Sequence, residues 1–408
     1  MNQRQIQKII NEAGFIRISA TPEEQKIADY LLNKCLELGV DARIEDFEVP
    51  VAKINSAHLY ADGKEIPCTA FEFSGSGEIE APLVYIPAFD KVSLRKVKGK
   101  IVLFDGGFSK FDYHDMLDAG AVGYISYTGD VKWADRDIDT KELRSYVSDG
   151  RKALGVTVNA KDAFILAKNL PAVKIVIDQE ELKGYSHNVV AEVPGLTDEW
   201  ITVSCHLDSR PNAPGVYDNL SGCISNLAVL EEAKRTAPHR YGIRAVFCGS
   251  EERGLLGSKA YCNMHENELD KIALNLNVDM LGSVFGQVRV FCSCADCGVD
   301  IIRAFADELG YSVKVSSGVA SSDSTAFADK GVPAISFIKF SPSSQAIIHA
   351  RYDNAKVVSA KVMKEDVDFI VSLALRFADS YVCPIPREIP DKIKTQLDEY
   401  MFRKRKNI

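Results

Sequence analysis

The sequence predicts an α/β protein, and three observations carry that prediction. Beyond Asn188-Val189-Val190-Ala191-Glu192-Val193, short apolar runs alternate with helical spacing, the order expected of a layered strand–helix domain. The runs at 201–205, 244–249, 273–278 and 333–338 have the length and composition of buried strands. Each is followed by polar groups at what becomes its carboxyl end, where ligand sites lie in open α/β sheets.

The bulk numbers set the limits. At 408 residues, 46% hydrophobic and 26% charged, the chain is ordinary globular material with room for two domains. A formal net charge of −8 argues against nucleic acid as a partner. The one basic cluster, Arg403-Lys404-Arg405-Lys406, reads as a solvated end. Met1 to Ile6 lacks the charged-then-apolar layout of a signal segment, and no run reaches membrane-spanning length. The expectation is a cytoplasmic protein without a membrane partner. Ten cysteines, several in strand-like runs (Cys205, Cys248, Cys292), fit buried thiols in a reducing compartment. Cys292, Cys294 and Cys297 have the spacing of a soft-metal site but no second paired half, and read as ordinary strand-end thiols.

In chain order, Thr21-Pro22-Glu23-Glu24 predicts a helix start, with a cap, a first-turn proline and acidic residues at the positive end. Ile27, Tyr30, Leu31, Cys35 and Leu38 continue at helical spacing until Gly39. A strand-like stretch follows from Ala42 to about Tyr60. From about Thr69 to Pro171 the character changes to short strand-like runs such as 83–86 and 101–104, with a helix over 111–121. His114 there reads as a surface histidine. Further on, Val362 to Phe377 predicts an amphipathic helix with Val367, Ile370, Val371 and Ala374 on one side. A proline-rich link and a short charged helix end the chain.

The chemistry gathers at the strand ends. His206 and Asp208 sit at i and i+2 of a strand tip and face the same way, the usual way to hold an imidazole ligand and fix its tautomer. Asp218 follows in the next loop. Glu251-Glu252 follows the strand at 244–249, Asp279 follows the strand at 273–278, and His349 lies in the loop after 333–338. Single carboxylates at such places are commonly helix caps; four strand ends supplying metal-capable groups are not so easily explained. Adjacent side chains at a strand end diverge, so one member of Glu251-Glu252 can bind metal while the other faces an attacking water. Two metals about 3.5–4 Å apart need a bridging carboxylate, and Asp218 is the natural candidate.

These motifs, His206-x-Asp208, Asp218-Asn219-x-Ser221-Gly222, Glu251-Glu252-x-Gly254, Asn277-Val278-Asp279-Met280-x-Gly282 and His349, resemble the di-zinc aminopeptidase family (peptidase family M28). The resemblance covers about residues 1–60 and 183–380. It implies a mixed β-sheet flanked by helices, with His206 and Asp279 on one zinc, Glu252 and His349 on the other, and Asp218 bridging. It implies Glu251 as the base that activates a metal-bridging water, and Asp208 as the residue that orients His206. Cobalt or manganese suits the same nitrogen and oxygen donors. Lys98-Gly99-Lys100-Ile101-Val102-Leu103 and Ala119-Gly120-Ala121-Val122-Gly123 resemble the protease-associated domain, a β-rich insert without chemistry of its own.

The expected layout is therefore a discontinuous catalytic domain (1–60 and 183–385), an insert at 69–171 and a tail at 386–408. The expected activity is removal of N-terminal residues from peptides. A carboxypeptidase, another amide hydrolase such as a cyclase of N-terminal glutamine, and a non-catalytic receptor-like protein are the alternatives. One departure from the family pattern stands out. Ser322-Asp323 is present, but Ser324 occupies the place of a histidine common in the family, and residues 318–321 hold no tyrosine to steady an oxyanion.

Overall fold

The computed structural model describes residues 1–342 and 345–406. Its internal contacts define two compact units, one made of Met1–Val49 and Tyr185–Lys404, the other built from Pro50–Gly184. The first unit opens with helices α1 (Gln3–Ala13) and α2 (Pro22–Glu37), and strand β1 (Asp41–Ala61) leads into the second. The second unit contains β2 (Lys64–Ile66), β3 (Cys68–Ala70), β4 (Gly77–Ile86), β5 (Ile101–Phe104), β6 (Gly123–Thr128) and β7 (Leu154–Asn159). Its helices are α3 (Lys91–Leu94), α4 (Lys110–Asp118), α5 (Ser145–Ser148) and α6 (Ala160–Asn169). Strand β8 (Ala172–Val193) returns the chain to the first unit. There follow β9 (Trp200–His206), α7 (Ser221–Thr236), β10 (Gly242–Cys248), α8 (Leu256–Met264) and β11 (Ile272–Val278). The remaining elements are β12 (Gln287–Ser293), α9 (Cys297–Glu308), β13 (Val313–Ser317), α10 (Ser324–Asp329), β14 (Ala334–Phe340), α11 (Ala360–Ala378) and α12 (Asp391–Tyr400).

In the first unit the strand order is β13-β12-β14-β11-β9-β10-β8. Strands β10, β9, β11 and β14 run parallel, while β8 and β12 pair antiparallel at either side. Alternation along the strands sends side chains to two separate cores. Ile201, Val203, Cys205, Ala245, Phe247, Leu276 and Phe337 join residues of α1, α2, α7 and α11 on one face. Val190, Val246, Cys248, Ile272 and Ala334 meet residues of α8, α10 and α12 on the other. The resulting helix–sheet–helix sandwich places the carboxyl ends of the parallel strands side by side.

On that second face the central strands are polar. The Ser204 hydroxyl donates to Asn277 at 2.8 Å, Asn275 donates to Ser204 at 3.0 Å, and Asn277 donates to Ser336 at 3.3 Å. Ser336 meets the Ser322 hydroxyl at 2.8 Å, and Ser322 meets Ser324 at 3.0 Å. All six residues are buried. Buried polar groups that satisfy one another in this way hold a single arrangement of strands, because slipping any one leaves several without partners.

The helix ends follow local chemistry, with one departure. Helix α1, not anticipated from the sequence, starts in a reciprocal capping box between Asn2 and Gln5 and buries Ile6, Ile9, Ile10 and Ala13. Thr21 is the N-cap of α2 as expected, but its hydroxyl turns back to the Ile18 carbonyl and makes no capping bond to the helix. The Glu24 carboxylate instead accepts from the Ala20 amide at 2.6 Å and from the Ser186 hydroxyl at 2.6 Å. Burial, with Asp208 nearby, pushes that carboxyl up to about 8. At the other end of the chain, the charged α12 brings Ile393 and Leu397 into the second core.

In the second unit β4, β5, β6 and β7 are parallel, with β8 and β3 antiparallel at the two sides. Its core is formed by residues such as Leu103, Ile125, Val156, Leu166 and Ile175. No helix among the described residues is long and apolar enough to cross a membrane.

A buried ion pair ties α11 to β14. Lys339 donates to both oxygens of Asp366 at 3.1 and 2.9 Å, and the Gly282 amide donates to the same carboxylate at 2.8 Å. Removing one partner strands the other charge in the core. Asp366→Ala should therefore lower the unfolding free energy by about 3–5 kcal/mol, read from urea melts.

Candidate metal centre

The sheet register builds the site. Strand β9 lies between β10 and β11, with Cys248 opposite His206 and Asn277 opposite Ser204. The residues that follow Cys248 and Val278 therefore emerge beside His206. Leu207 continues the ladder by donating to the Cys248 carbonyl at 2.8 Å, and Asp279 donates to that of Phe337 at 2.9 Å.

Two groups of ligand-type atoms result, and Asp218 belongs to both. His206, Asp218 and Asp279 form one, and Asp218, Glu252 and His349 the other, with the atoms of each within 4.8 Å of one another. The two oxygens of Asp218 are divided between them. Oδ1 lies 3.1 Å from Nε2 of His206, and Oδ2 lies 3.4 Å from Nε2 of His349. Asp279 Oδ1 is 3.7 Å from His206 Nε2, and Glu252 Oε2 is 3.2 Å from His349 Nε2. Five of the residues singled out by sequence thus converge. The groups contain no thiol; Cys292 and Cys294 are buried elsewhere and Cys297 is exposed, all three unpaired.

The supporting contacts are as specific as the donors. Asp208 Oδ1 is 3.5 Å from His206 Nδ1, longer than a hydrogen bond. Its shorter contacts go to the Glu251 and Glu252 amides, which donate to it at 3.0 and 3.3 Å. Asp208 thereby anchors the acidic pair as well as facing the imidazole. Asp353 accepts from the amides of Tyr217 and Asp218 at 2.8 and 3.0 Å. The Asn219 amide group donates to the Val278 carbonyl and accepts from the Gly222 and Met280 amides, tying the start of α7 to the tip of β11. Gly222 permits that approach, since a Cβ there would lie 2.6 Å from both Asn219 Oδ1 and the Val278 carbonyl. Ser250, Met280 and His349 all adopt positive φ (52°, 68° and 58°). Left-handed backbone at non-glycine residues costs on the order of 1 kcal/mol each and gathers at functional sites.

The charges suit a divalent cation. Asp208, Asp218, Asp279 and Asp323 are buried close to His206. Burial raises the Glu251 carboxyl well above the ordinary range, with Asp323, Glu252 and Asp279 adding to the effect against the pull of His206. Asp323 is pushed up to about 7 by burial, with Asp279 and Asp208 contributing. So many carboxylates around two imidazoles are costly to hold without a positive charge among them. Imidazole nitrogen and carboxylate oxygen are donors for zinc, cobalt or manganese.

Ser324, where the family pattern has a histidine, is buried with its hydroxyl at Ser322 as the end of the polar ladder. Asp353 and Asn219 were missed as supporting groups. Asn219 follows Asp218 directly and Asp353 lies four residues after His349, so proximity to a candidate ligand was the available signal.

Residues 188–374 match the family described as peptidase family M28. A probable lipoprotein aminopeptidase of Mycobacterium tuberculosis is 30% identical over 299 residues, covering 68% of this chain and 57% of that protein. An aminopeptidase of Bacillus subtilis is 24% identical over 389 residues, covering 89% of this chain and 81% of its own length. Among solved structures, a zinc aminopeptidase from Bacillus subtilis superposes with a TM-score of 0.77 at 22% identity, over 95% of this chain and 99% of that one. The chain thus spans little more than half the length of the mycobacterial relative. The ordered motifs lie within the stretch that is similar to peptidase family M28, residues 188–374.

Zinc added to metal-free protein should raise its melting temperature. At about 100 times the dissociation constant the gain is about 2.7 kcal/mol per site. Asp218→Ala, which removes the carboxylate common to both groups, should abolish most of that rise in a calorimetric scan.

Proposed function

We propose that this protein is a metal-dependent aminopeptidase acting on peptides. The observation that carries the reading is the division of the two Asp218 oxygens between His206 and His349. It supports a two-ion site in which His206 and Asp279 hold one ion, Glu252 and His349 hold the other, and Asp218 is shared. Ions held there would polarise the scissile carbonyl and make water a nucleophile near neutral pH.

Glu251 is the proton carrier in this reading. Its amide and that of Glu252 are both fixed on Asp208, while successive side chains diverge from that turn. One carboxylate is thus free of ligand duty beside the donors. Glu251 takes a proton from the attacking water as the water oxygen bonds to the carbonyl carbon. It returns that proton to the amine nitrogen as the carbon–nitrogen bond breaks. Asp208 keeps the turn in place throughout.

The domain reading rests on local likeness. Within the second unit, Gly99 donates to the Gly120 carbonyl at 2.8 Å and Val122 to that of Lys100 at 3.0 Å. The two segments that resemble a protease-associated domain are therefore neighbours, which supports that identification of the insert at 69–171. Ten unpaired cysteines, seven of them buried, support a reducing, cytoplasmic setting.

Two experiments test the activity. Glu251→Gln should retain zinc and lose turnover by about 10²–10⁴-fold, the usual contribution of a general base; full turnover would remove Glu251 from that role. Mass spectrometry of free and N-acetylated peptides incubated with zinc-loaded protein should show stepwise loss from free N-termini alone, stopped by a chelator. Loss from C-termini would make the protein a carboxypeptidase instead.

A further inference from the structure

Arg17 is fully buried, yet its hydrogen-bond partners among the described residues include no carboxylate. Its guanidinium donates instead to backbone carbonyls. Nε reaches Leu207 at 2.7 Å, and Nη1 reaches Pro214 at 2.6 Å and Phe15 at 2.7 Å. Nη2 reaches Gly215 at 2.9 Å, and a longer contact of 3.4 Å joins Nη1 to Ala13. The backbone of Arg17 adds two bonds to Ser209. Its amide donates to the Ser209 hydroxyl at 2.9 Å, and its carbonyl accepts from the Ser209 amide at 3.0 Å.

The carbonyls of Leu207, Pro214 and Gly215 mark the two ends of one loop. Leu207 adjoins His206, and Gly215 lies three residues before Asp218. Only a rigid, planar fork with five donors can grip both ends at once. The loop is closed tightly on it. Gly215 has φ +60°, and a Cβ there would lie 2.7 Å from Ser209 Cβ and 3.0 Å from Arg17 Nη2. The same segment also reaches the acidic turn, because the buried Ser19 hydroxyl meets that of Ser250, the residue before Glu251.

We infer that Arg17 is a positioning residue for the metal centre, fixing the span between His206 and Asp218. The inference rests on the metallopeptidase reading above. A purely structural arginine would stabilise the fold without setting metal affinity; a positioning one sets both. Groups that orient metal ligands typically change affinity by about 10–100-fold when lost.

The test uses the full chain and three readouts: zinc affinity by competition with a chromophoric chelator, melting of the metal-free protein, and kcat and KM on a short peptide. An ammonium cannot reproduce the planar fork, so R17K should bind zinc about 10–100-fold more weakly. Its kcat should fall while KM changes less than about two-fold. Ile302→Ala, a buried change on α9, serves as the control for general destabilisation. Zinc affinity and kcat in R17K equal to wild type, or no weaker than in a control melting equally low, would overturn the inference. If R17K does not fold, Ser209→Ala carries the test: weaker zinc binding at an unchanged metal-free melt supports the inference, and unchanged binding overturns it. Wild-type protein that takes up no zinc would overturn the metallopeptidase reading, a result visible before any variant is made.

Discussion

Everything at the site depends on the placement of β9 between β10 and β11. Pairing Cys248 with His206 and Asn277 with Ser204 decides which loops can meet. A slip of one residue would turn every side chain of β9 to the opposite face. The apolar set Ile201, Val203 and Cys205 would then leave its core, and Ser204 would leave Asn275 and Asn277. Packing on one face and hydrogen bonding on the other specify the same register. The position of His206 is therefore a property of the whole sheet, not of its own loop.

Once the strand ends are side by side, short-range contacts do the finer work. Asp208 holds the amides of the acidic pair, Asp353 holds those of Tyr217 and Asp218, and Asn219 bridges α7 and β11. Each uses a carboxylate or amide to satisfy backbone groups that a sharp turn leaves exposed in a dry interior. The turns that bring donors together are thus stabilised by side chains that bind nothing themselves.

Much of this was legible in the sequence, and the limits have physical causes. Buried strands announce themselves by composition, and a ligand that follows a strand directly is tied to it by sequence, so His206, Glu252 and Asp279 could be placed. Asp218 and His349 lie farther from their strands and rested more on the ordered motifs. The helix over 22–37 was visible in its apolar spacing and its cap position at Thr21 was legible too, but residue identity could not show that the hydroxyl turns to Ile18 while Glu24 takes the Ala20 amide. Helix α1 was overlooked although Ile6, Ile9, Ile10 and Ala13 have helical spacing. Arg17 was beyond reach for a different reason. Its partners are main-chain carbonyls up to 198 residues away, and a carbonyl leaves no trace in residue identity.

That separation bears on the order of synthesis. Arg17 leaves the ribosome long before Leu207, Pro214 and Gly215 exist, with the whole second unit made in between. A guanidinium is too costly to bury without acceptors, so the segment around it stays hydrated until the chain has passed residue 215. His349 comes later still. A nascent chain therefore carries an incomplete donor set through most of its elongation, and the closing of the N-terminal segment onto the sheet is a late event in building the site.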